Sequence, residues 1–540
     1  MKIIERLKNW SFKSKWIFLM KLNRRQMLIS TALLTTSAVL GRTEKRAPYR
    51  YVLAKVKATK TALPEGKYIP FDWSFGEIGE NTEGVGDFRL GVSDVGDGLP
   101  KSEIPNPKSN EGVHLSWNET NISKKSSVRL RITSATDVRE VLVLEVKTAI
   151  SGKKIADWNL QFAAMLQPFE LEIPKEFIKI VEEEGITLTM LKGTKPFWFF
   201  SGSNTKSAPN AYLPHLLMYD SKSQKNEAWK DRILSNESLQ TFGWQQGVVW
   251  DGMLEMSKKS PKAKAVLAQQ LDLYFAKNSL VYCNLNNIKT VEKISTVESI
   301  LPFAILAQTN PTHPLLKMAI EFCENHANTE GVIADGTGNN RMVKTEECYT
   351  VSYPLAVLAK TLNRPDLAIL AIKTIESRIL ILEKGNSIYQ RGTEQGDLFF
   401  ENWGRGVAWY LLGIAKTLAH LPDSKDKERI KESFQKSVDK VLDYQQVNGL
   451  WYNFFHQAET GYETSGTAGI TAALSYALNK GLLSENVKTP ILKGKNALLP
   501  YMTPDGFLAG TAQVNKGGDA LQQNGFRVIS PYTLGFLAHF

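Results

Sequence analysis

The sequence predicts two structural regions in one chain, an N-terminal β-sandwich module followed by an all-α array of paired helices. Short runs of alternating apolar and polar residues occur before residue 220, as expected for half-buried strands. From about residue 225, apolar residues recur at helical spacing. The helices come in pairs that repeat at a nearly constant interval. Such a repeat forms either an open solenoid or a closed toroid.

Length and composition are those of a multidomain globular protein. The chain has 540 residues, of which 43% are apolar and 22% charged. Its net charge is +11, but much of the basic excess falls within the first 25 residues. The remaining basic residues form no stripe with interleaved aromatic residues, so we expect no nucleic-acid partner. An acidic sugar polymer fits this charge at least as well.

Residues 1–45 resemble an export signal and are set apart from the fold. Asn23-Arg24-Arg25 leads into an uncharged run from Gln26 to Gly41. Paired arginines before a moderately apolar stretch are typical of twin-arginine (Tat) signals. The run is short and rich in Ser and Thr, so we expect no integral membrane domain in the mature protein. The predicted location is therefore periplasmic or secreted, with an uncleaved anchor or a basic cytoplasmic tail as the alternative.

The β-sandwich module is expected over residues 46–220. Val128–Ile132 alternates apolar and polar side chains, and Val141–Val146 and Ile186–Leu191 are further runs typical of strands. Gly, Asn, Asp and Pro cluster between such runs, as in the turns of a sandwich.

The helical array is expected over residues 221–540. The clearest helical runs are Ala263–Ala276, Leu315–Cys323, Ala356–Leu362 and Val407–Ala419. The later pairs are separated by a glycine turn and an apolar step, which begin at Gly331, Gly449 and Gly506.

The first helices of successive pairs are expected to begin at equivalent points. These points lie near Trp244, Glu298, Glu347, Trp403 and Ser465, and subtraction gives spacings of 54, 49, 56 and 62 residues. In a closed ring, these helix starts meet at one mouth. Because chemically distinctive residues stand at the repeated points, the sequence predicts a pocket there.

Two carboxylates stand at these helix starts, Glu298 and Glu347. A glutamate in the first turn of a helix often serves only to complement the helix dipole. Both, however, fall at equivalent points of successive repeats, so both can face one pocket. A carboxyl beside aromatic walls has its pKa raised by desolvation and can donate a proton near neutral pH.

The segment from Trp403 to Tyr410 is the most distinctive in the chain. Trp403 offers a flat face for a sugar ring, and Arg405 a planar fork for a carboxylate; both can equally be packing residues. Ser465 and Thr467 stand at a later helix start, where they either cap the helix or bind a substrate carboxylate. The three cysteines form no CxxC pair and the seven histidines no close pair, so no metal site is expected.

Together these motifs resemble glycoside hydrolase families 105 and 88. Trp403–Tyr410 is similar to their WGRxxGWY signature, with Ala408 in place of the later Gly. Glu347–Pro354 stands where those families have D-G-x-x-M-x-x-P. Trp244 opens a W-x-x-G segment, and Thr464–Ala468 resembles their late S-G-S-A segment. The likeness covers residues from about 225 to the end.

The resemblance implies an (α/α)6 barrel that binds acidic oligosaccharides ending in a 4,5-unsaturated uronic acid. In those families an aspartate protonates the ring double bond and activates water; the resulting hemiketal opens, and no metal or cofactor is needed. Carried over, Glu347 is the catalytic acid and Glu298 its partner. The resemblance and the chemistry of the motifs also suggest a set of substrate-binding residues: Trp244, Tyr349, Gln390, Trp403, Arg405, Trp409, Ser465 and Thr467.

The sequence departs from the family pattern at its carboxylates. Glu298 and Glu347 replace two aspartates, and a family histidine before the Trp/Arg motif has no match, with Gln390 nearby. These changes leave three alternatives open. One is an exo-acting hydrolase of saturated uronides, whose carboxylate separation would set the stereochemistry. The others are a non-catalytic glycan-binding protein and a polysaccharide lyase.

Overall fold

The structure, a computed structural model, describes residues 49–57, 59–71, 73–79, 112–117, 127–203, 209–220, 227–336 and 341–540. All of them belong to one compact unit, residues 48–540. The export segment predicted over residues 1–45 lies outside the described residues. Among the helices in the described ranges, none is long and apolar enough to cross a membrane.

The first part of the described chain is built from antiparallel strands. Its elements are β1 (Tyr49–Leu53), β2 (Lys55–Val56), β3 (Trp73–Ile78), β4 (Val113–Ser116), β5 (Ser127–Thr133), β6 (Val143–Thr148), β7 (Lys154–Asn159), β8 (Pro168–Glu172), helix α1 (Lys175–Glu184), β9 (Ile186–Lys192), β10 (Phe197–Ser203) and β11 (His215–Tyr219). One sheet has the order β1-β11-β5-β8 and the other β2-β4-β9-β6-β7, while β10 pairs with β3.

The two sheets share one hydrophobic cluster. Leu130 of β5, Leu144 of β6 and Leu188 of β9 are fully buried in it. Along β6, buried and half-buried residues alternate strictly, because successive side chains of a strand point to opposite faces. The three predicted strand runs are confirmed as β5, β6 and β9. We call residues 49–220 the β module.

The remainder of the chain is mainly helical. Its helices are α2 (Ala228–Ile233), α3 (Trp244–Ser257), α4 (Pro261–Phe275), α5 (Leu301–Thr309), α6 (Leu316–His326), α7 (Tyr353–Leu362), α8 (Pro365–Leu382), α9 (Gly404–Leu418), α10 (Lys425–Leu442), α11 (Thr464–Asn479), α12 (Lys488–Leu498), α13 (Gly518–Gln523) and α14 (Thr533–Leu537). Short strands connect them: β12 (Val281–Cys283), β13 (Lys289–Val291), β14 (Val343–Lys344), β15 (Glu383–Lys384), β16 (Ser387–Gly392), β17 (Leu398–Glu401), β18 (Trp451–Phe454), β19 (Gln457–Glu463), β20 (Thr511–Ala512) and β21 (Arg527–Val528).

Within the described part of the chain, six helices contact one another in turn and close into a ring. They are α3, α5, α7, α9, α11 and α14, and α14 contacts α3. Each ring helix also contacts one helix outside the ring. Helices enclosed in this way bury all of their faces, and every residue of α9 is buried, including the charged Arg405 and Lys416. Because the short helix α14 joins the last helix to the first, the array is a ring rather than an open solenoid.

The glycine turns predicted between helix pairs are confirmed. Gly331, Gly449 and Gly506 all have positive φ angles, between 76° and 92°. A residue with a side chain rarely adopts this conformation. At Gly449 and Gly506 the space is also taken, since an added Cβ would lie 2.4 to 2.5 Å from a neighbouring backbone. These turns connect outer helices to the next ring helices.

The β module and the ring are joined through a buried ionic network. Arg131 of β5 forms an ion pair with Asp505, and both side chains are fully buried. Arg232 donates from Nε to the Asp505 backbone carbonyl at 2.9 Å. Tyr51 donates to the Asp505 carboxylate at 2.6 Å. The two arginines hold the pKa of Asp505 well below its usual value despite the opposing effect of burial.

Candidate active site

A cavity of about 140 Å³ lies where several ring helices begin. Its wall is formed by the starts of α3 and α9, the segments that precede α5 and α7, and two loops of the β module. Of the five residues that marked the predicted helix starts, Trp244, Glu298 and Trp403 line this cavity, whereas Glu347 and Ser465 do not. The lining residues are Asp137, Ala164, Met165, Thr241, Trp244, Gln245, Leu285, Glu298, Glu346, Thr350, Trp403, Arg405, Trp409, Val514, Asn515 and Lys516.

Three tryptophans supply the aromatic wall. Trp244 and Trp409 pack edge to face, with ring centroids 5.4 Å apart. Trp403 lies beside Arg405, whose guanidinium carbon is 4.6 Å from the ring centroid. All three were predicted from the sequence to bind substrate, and all three line the cavity. Broad apolar ring faces of this kind suit the C–H surface of a sugar.

Glu298 is a half-buried carboxyl in the cavity wall. Burial raises its pKa to about 7, against the attraction of Lys344, and the negative charge of Glu346 raises it further. No hydrogen-bond donor to its carboxylate occurs among the described residues. The charges of Lys344 and Lys516 favour the ionised form of Glu298, but desolvation outweighs them, so a large fraction of Glu298 is protonated near neutral pH.

Glu346 is the second carboxyl in the cavity wall, and hydrogen bonds hold it firmly. The Gln390 Nε2 amide contacts both carboxylate oxygens, at 2.7 and 2.8 Å. The Thr345 hydroxyl donates to one of them at 3.1 Å. Gln390 is itself buried and lies on β16. Donors directed at both oxygens suit an ionised carboxylate, so Glu298 and Glu346 have contrasting surroundings.

Glu347, predicted to be the catalytic acid, does not line the cavity. Its carboxylate pairs with Arg378 at 2.7 Å, and both side chains are fully buried. It also accepts from the backbone N–H groups of Lys344 and Asp335, at 2.6 and 3.2 Å. These contacts occupy both oxygens of Glu347. The structure therefore gives Glu347 a structural environment and corrects its expected position: Glu346 faces the cavity instead.

A π-helical segment follows the two glutamates and precedes α7. Cys348–Ser352 is π-helical and continues directly into α7. A π-turn bonds residue i to i+5, so it contains one residue more than an α-turn. Glu347 was predicted because it stands at the first position of the motif that ends at Pro354, whereas in the structure Glu346 lines the cavity. Gly413 permits this geometry, because an added Cβ there would lie 2.3 Å from Cys348.

Arg405 lines the cavity, but most of its guanidinium N–H groups already donate hydrogen bonds to other residues of the protein. Its two terminal nitrogens donate to the carbonyl groups of Ala512 and Gln513, each at 2.6 Å. Weaker contacts at 3.3 Å reach the hydroxyls of Ser465 and Tyr532. Arg405 thus anchors the loop of residues 512–516, which includes Lys516 of the cavity wall.

The other predicted binding residues stand outside the cavity wall. Ser465 and Thr467 hydrogen-bond to Glu463, at 2.6 and 2.8 Å, at the start of α11. Tyr349 donates to the buried Asp251 at 2.6 Å. Gln390 acts on the cavity only through Glu346. Neither Ser465 nor Thr467 is the cap of α11, because Glu463 holds that position and its carboxylate accepts from the backbone N–H groups of Ser465 and Gly466. Tyr349 belongs to a polar network inside the ring.

Several lining residues were missed because they follow no periodic pattern. Lys516 lies in a loop, and its ammonium donates to Asp137 at 2.6 Å and to the Leu285 carbonyl at 3.2 Å. Burial lowers the pKa of Lys516, while Asp137 opposes this shift. Thr241, Gln245, Thr350 and Asn515 complete the polar lining. Only Glu346 carried a usable signal, since it stands next to the predicted acid.

No group of three or more His, Cys, Asp or Glu side chains that could hold a metal ion occurs within the described ranges. The ionisable groups that line the cavity are the carboxyl groups of Asp137, Glu298 and Glu346, the Lys516 ammonium and the Arg405 guanidinium. Such a set suits acid–base catalysis on a sugar.

The chain shares short segments with curated enzymes. It is 28% identical over 126 residues to an unsaturated 3S-rhamnoglycuronyl hydrolase of Alteromonas sp. (strain LOR). These 126 residues make up 23% of this chain and 30% of that protein. The enzyme of the same name from Formosa agariphila is 34% identical over 94 residues, 17% of this chain and 25% of that protein. The aligned segments thus span less than a third of these relatives.

Structural similarity and the family comparison cover much more of the chain. The structure of a family 105 glycoside hydrolase from C. acetobutylicum ATCC 824 matches with a TM-score of 0.51 at 17% identity, over 59% of this chain and 98% of that chain. This likeness concerns the fold. The sequence model of Glycosyl Hydrolase Family 88 matches residues 218–538, more than half of the chain. The resemblance inferred from the motifs is thereby confirmed, and the chain belongs to glycosyl hydrolase family 88.

Proposed function

We propose that this protein removes a terminal 4,5-unsaturated uronic acid from acidic oligosaccharides by acid–base hydrolysis. In this proposal the ring of helices is the inner layer of an (α/α)6 barrel, and the β module is a β-sandwich. The observation that carries the proposal is the pairing of two carboxyl groups in one aromatic cavity. Glu298 is desolvated and lacks hydrogen-bond donors, whereas Glu346 is held by Gln390 and Thr345.

This contrast assigns a role to each carboxyl group. Glu298 donates its proton to C4 of the C4=C5 double bond, which leaves positive charge shared between C5 and the ring oxygen. Glu346 takes a proton from a water molecule as the water oxygen bonds to C5. The product is a hemiketal that opens and releases the remaining sugar. One water is consumed, and transfer of the proton from Glu346 back to Glu298 restores both groups.

Lys516 and the tryptophans bind the sugar in this proposal. The Lys516 side chain is 21% exposed and lines the cavity, where its ammonium can pair with the uronate carboxylate. Trp244, Trp403 and Trp409 supply ring faces. The two curated relatives are named for unsaturated rhamnoglycuronyl substrates, which supports rhamnose as the neighbouring sugar.

The ultraviolet absorbance of the C4=C5 double bond tests the proposal directly. The purified protein is incubated with unsaturated disaccharides in which the uronic acid is linked to rhamnose, N-acetylhexosamine or galacturonate. We expect absorbance to fall, most rapidly for the rhamnose-linked substrate. Release of uronic acid from saturated oligosaccharides with no effect on the unsaturated set would identify an exo-uronidase instead. A rise in absorbance with intact polysaccharide would identify a lyase.

The reaction is also expected to depend on pH through Glu298. The donor must be protonated, and its pKa is raised to about 7. Hence kcat/KM should fall about tenfold per pH unit above pH 7, because the free enzyme loses the required proton. The pH profile of kcat/KM, with circular dichroism at each pH as the folding control, checks this expectation. A flat profile to pH 9 in a folded protein would exclude Glu298 as the donor.

A further inference from the structure

Part of the cavity wall comes from the β module, which precedes the family-matched segment almost entirely. Asp137 lies in the loop between β5 and β6, while Ala164 and Met165 lie in the loop between β7 and β8. All three line the cavity. The ring of helices alone would therefore leave this side of the cavity open to solvent.

Both loops contact the helical part of the chain, the first through Asn287 of the β12–β13 hairpin and the second through apolar packing. The backbone N–H of Asp137 donates to Asn287 Oδ1 at 2.6 Å, and Asn287 Nδ2 donates to the Ala135 carbonyl at 3.3 Å. Met165 and Leu166 belong to the same hydrophobic cluster as the ring helices. Leu166 adopts a φ of 62°, a conformation that persists only where its surroundings enforce it. The loops are thus rigid parts of the wall.

Asp137 fixes the position of Lys516. One Asp137 oxygen accepts from the Lys516 ammonium at 2.6 Å, and the other accepts from Arg139 at 3.0 Å. An ammonium group has three donors. Asp137 and the Leu285 carbonyl use two of those of Lys516. The third N–H donor of the Lys516 ammonium has no acceptor among the described residues, so it remains available to a ligand.

The ammonium faces the same space as the proposed proton donor. Lys516 and Glu298 both line the cavity and are close enough for their charges to interact. A sugar whose double bond lies at Glu298 would present its C5 carboxylate within this same space. Ala164 and Met165 add an apolar surface beside it.

We propose that the β module completes the substrate pocket, with Asp137 as the positioning residue that holds the Lys516 ammonium for the carboxylate of the terminal uronic acid. This inference rests on the proposed function and extends it to a part of the chain outside the family match. It makes the β module necessary for substrate affinity.

Asp137→Asn in the full chain tests the inference, with Asp157→Asn as the matched control. Asp157 lies in the same module and forms an exposed pair with Lys154. We expect Asp137→Asn to raise KM for the unsaturated disaccharide about tenfold with kcat nearly unchanged, since it weakens ground-state and transition-state binding equally. Lys516→Gln should raise KM similarly, and the double variant should be no worse than Lys516→Gln alone. Asp157→Asn should behave as the unaltered protein does.

Independent, additive effects of the two substitutions, or an unchanged KM in Asp137→Asn, would overturn the inference. If Asp137→Asn does not fold, the test rests on Lys516→Gln. An unchanged KM of Lys516→Gln for the unsaturated disaccharide contradicts the proposal. Quenching of tryptophan fluorescence by the disaccharide measures binding without turnover. Binding weakened by Asp137→Asn in a protein that turns nothing over would support the pocket and contradict the reaction. Turnover with KM unaffected by either substitution would contradict the pocket alone.

Discussion

Replacing Glu346 with glutamine is expected to lower kcat about a thousandfold and to leave the protein folded. The substitution removes the charge that accepts a proton from water, and general acid–base groups contribute about 10²- to 10⁴-fold to rates. Glutamine has nearly the same size, and Glu346 is only half-buried, so the fold tolerates the change. Loss of ultraviolet absorbance of the unsaturated disaccharide measures the rate, and circular dichroism monitors folding.

The neighbouring substitution, Glu347→Gln, provides the contrast. It removes the charge that compensates the fully buried Arg378, and breaking such a pair costs about 3–5 kcal/mol. We therefore expect a marked loss of thermal stability. At temperatures where the variant is folded, much of the activity should remain. A stable and inactive Glu347→Gln beside an active Glu346→Gln would reverse the assignment of the two residues.

The second large effect is expected from Asp505→Ala. This change removes the buried carboxylate that Arg131 and Arg232 share, while Arg131 keeps its pair with Glu170 and Arg232 its pair with Glu237. The free energy of unfolding should therefore fall by about 3 kcal/mol, the lower end of the range for a broken buried pair. Because the network joins the β module to the ring, both parts should lose stability together. Thermal unfolding followed by circular dichroism and by tryptophan fluorescence should show one transition at a lower temperature in both signals.

Asp157→Ala is the control for this experiment. It removes an acidic residue from an exposed ion pair in the same module, where solvent screens the interaction. Its unfolding temperature should match that of the unaltered protein. An equally small effect of Asp505→Ala would show that the ionic network is not what joins the two parts.

The sequence predicted the elements well wherever a periodic pattern marked them. The alternation in β5 and the apolar spacing in α9 allowed both to be located within a few residues. The starts of α3, α9 and α11 lie within one residue of Trp244, Trp403 and Ser465. Closure of the ring depends on α14, which has five residues and lacks a full apolar repeat.

The candidate site was predictable only in part, because side-chain direction depends on local helix geometry. Trp244, Trp403, Trp409 and Glu298 were found from the repeated helix starts and the family motifs. Glu346 and Glu347 are neighbours at the start of the same segment, and the motif alone did not show that Glu346 faces the cavity while Glu347 pairs with Arg378. Lys516 and Asp137 meet across 379 positions of sequence, so their pairing arises from tertiary structure alone.

The β module and the helices share one hydrophobic cluster, so the boundary of the folding unit differs from the boundary of the family match. The family match begins at residue 218, yet Trp73, Phe200 and Tyr212 lie in the same buried cluster as the ring helices. A fragment trimmed to residues 218–538 would expose that apolar surface to water, and large exposed apolar patches promote aggregation. The segment that matches the family model is therefore shorter than the segment that folds on its own. Expression of the catalytic part requires the strands that precede it.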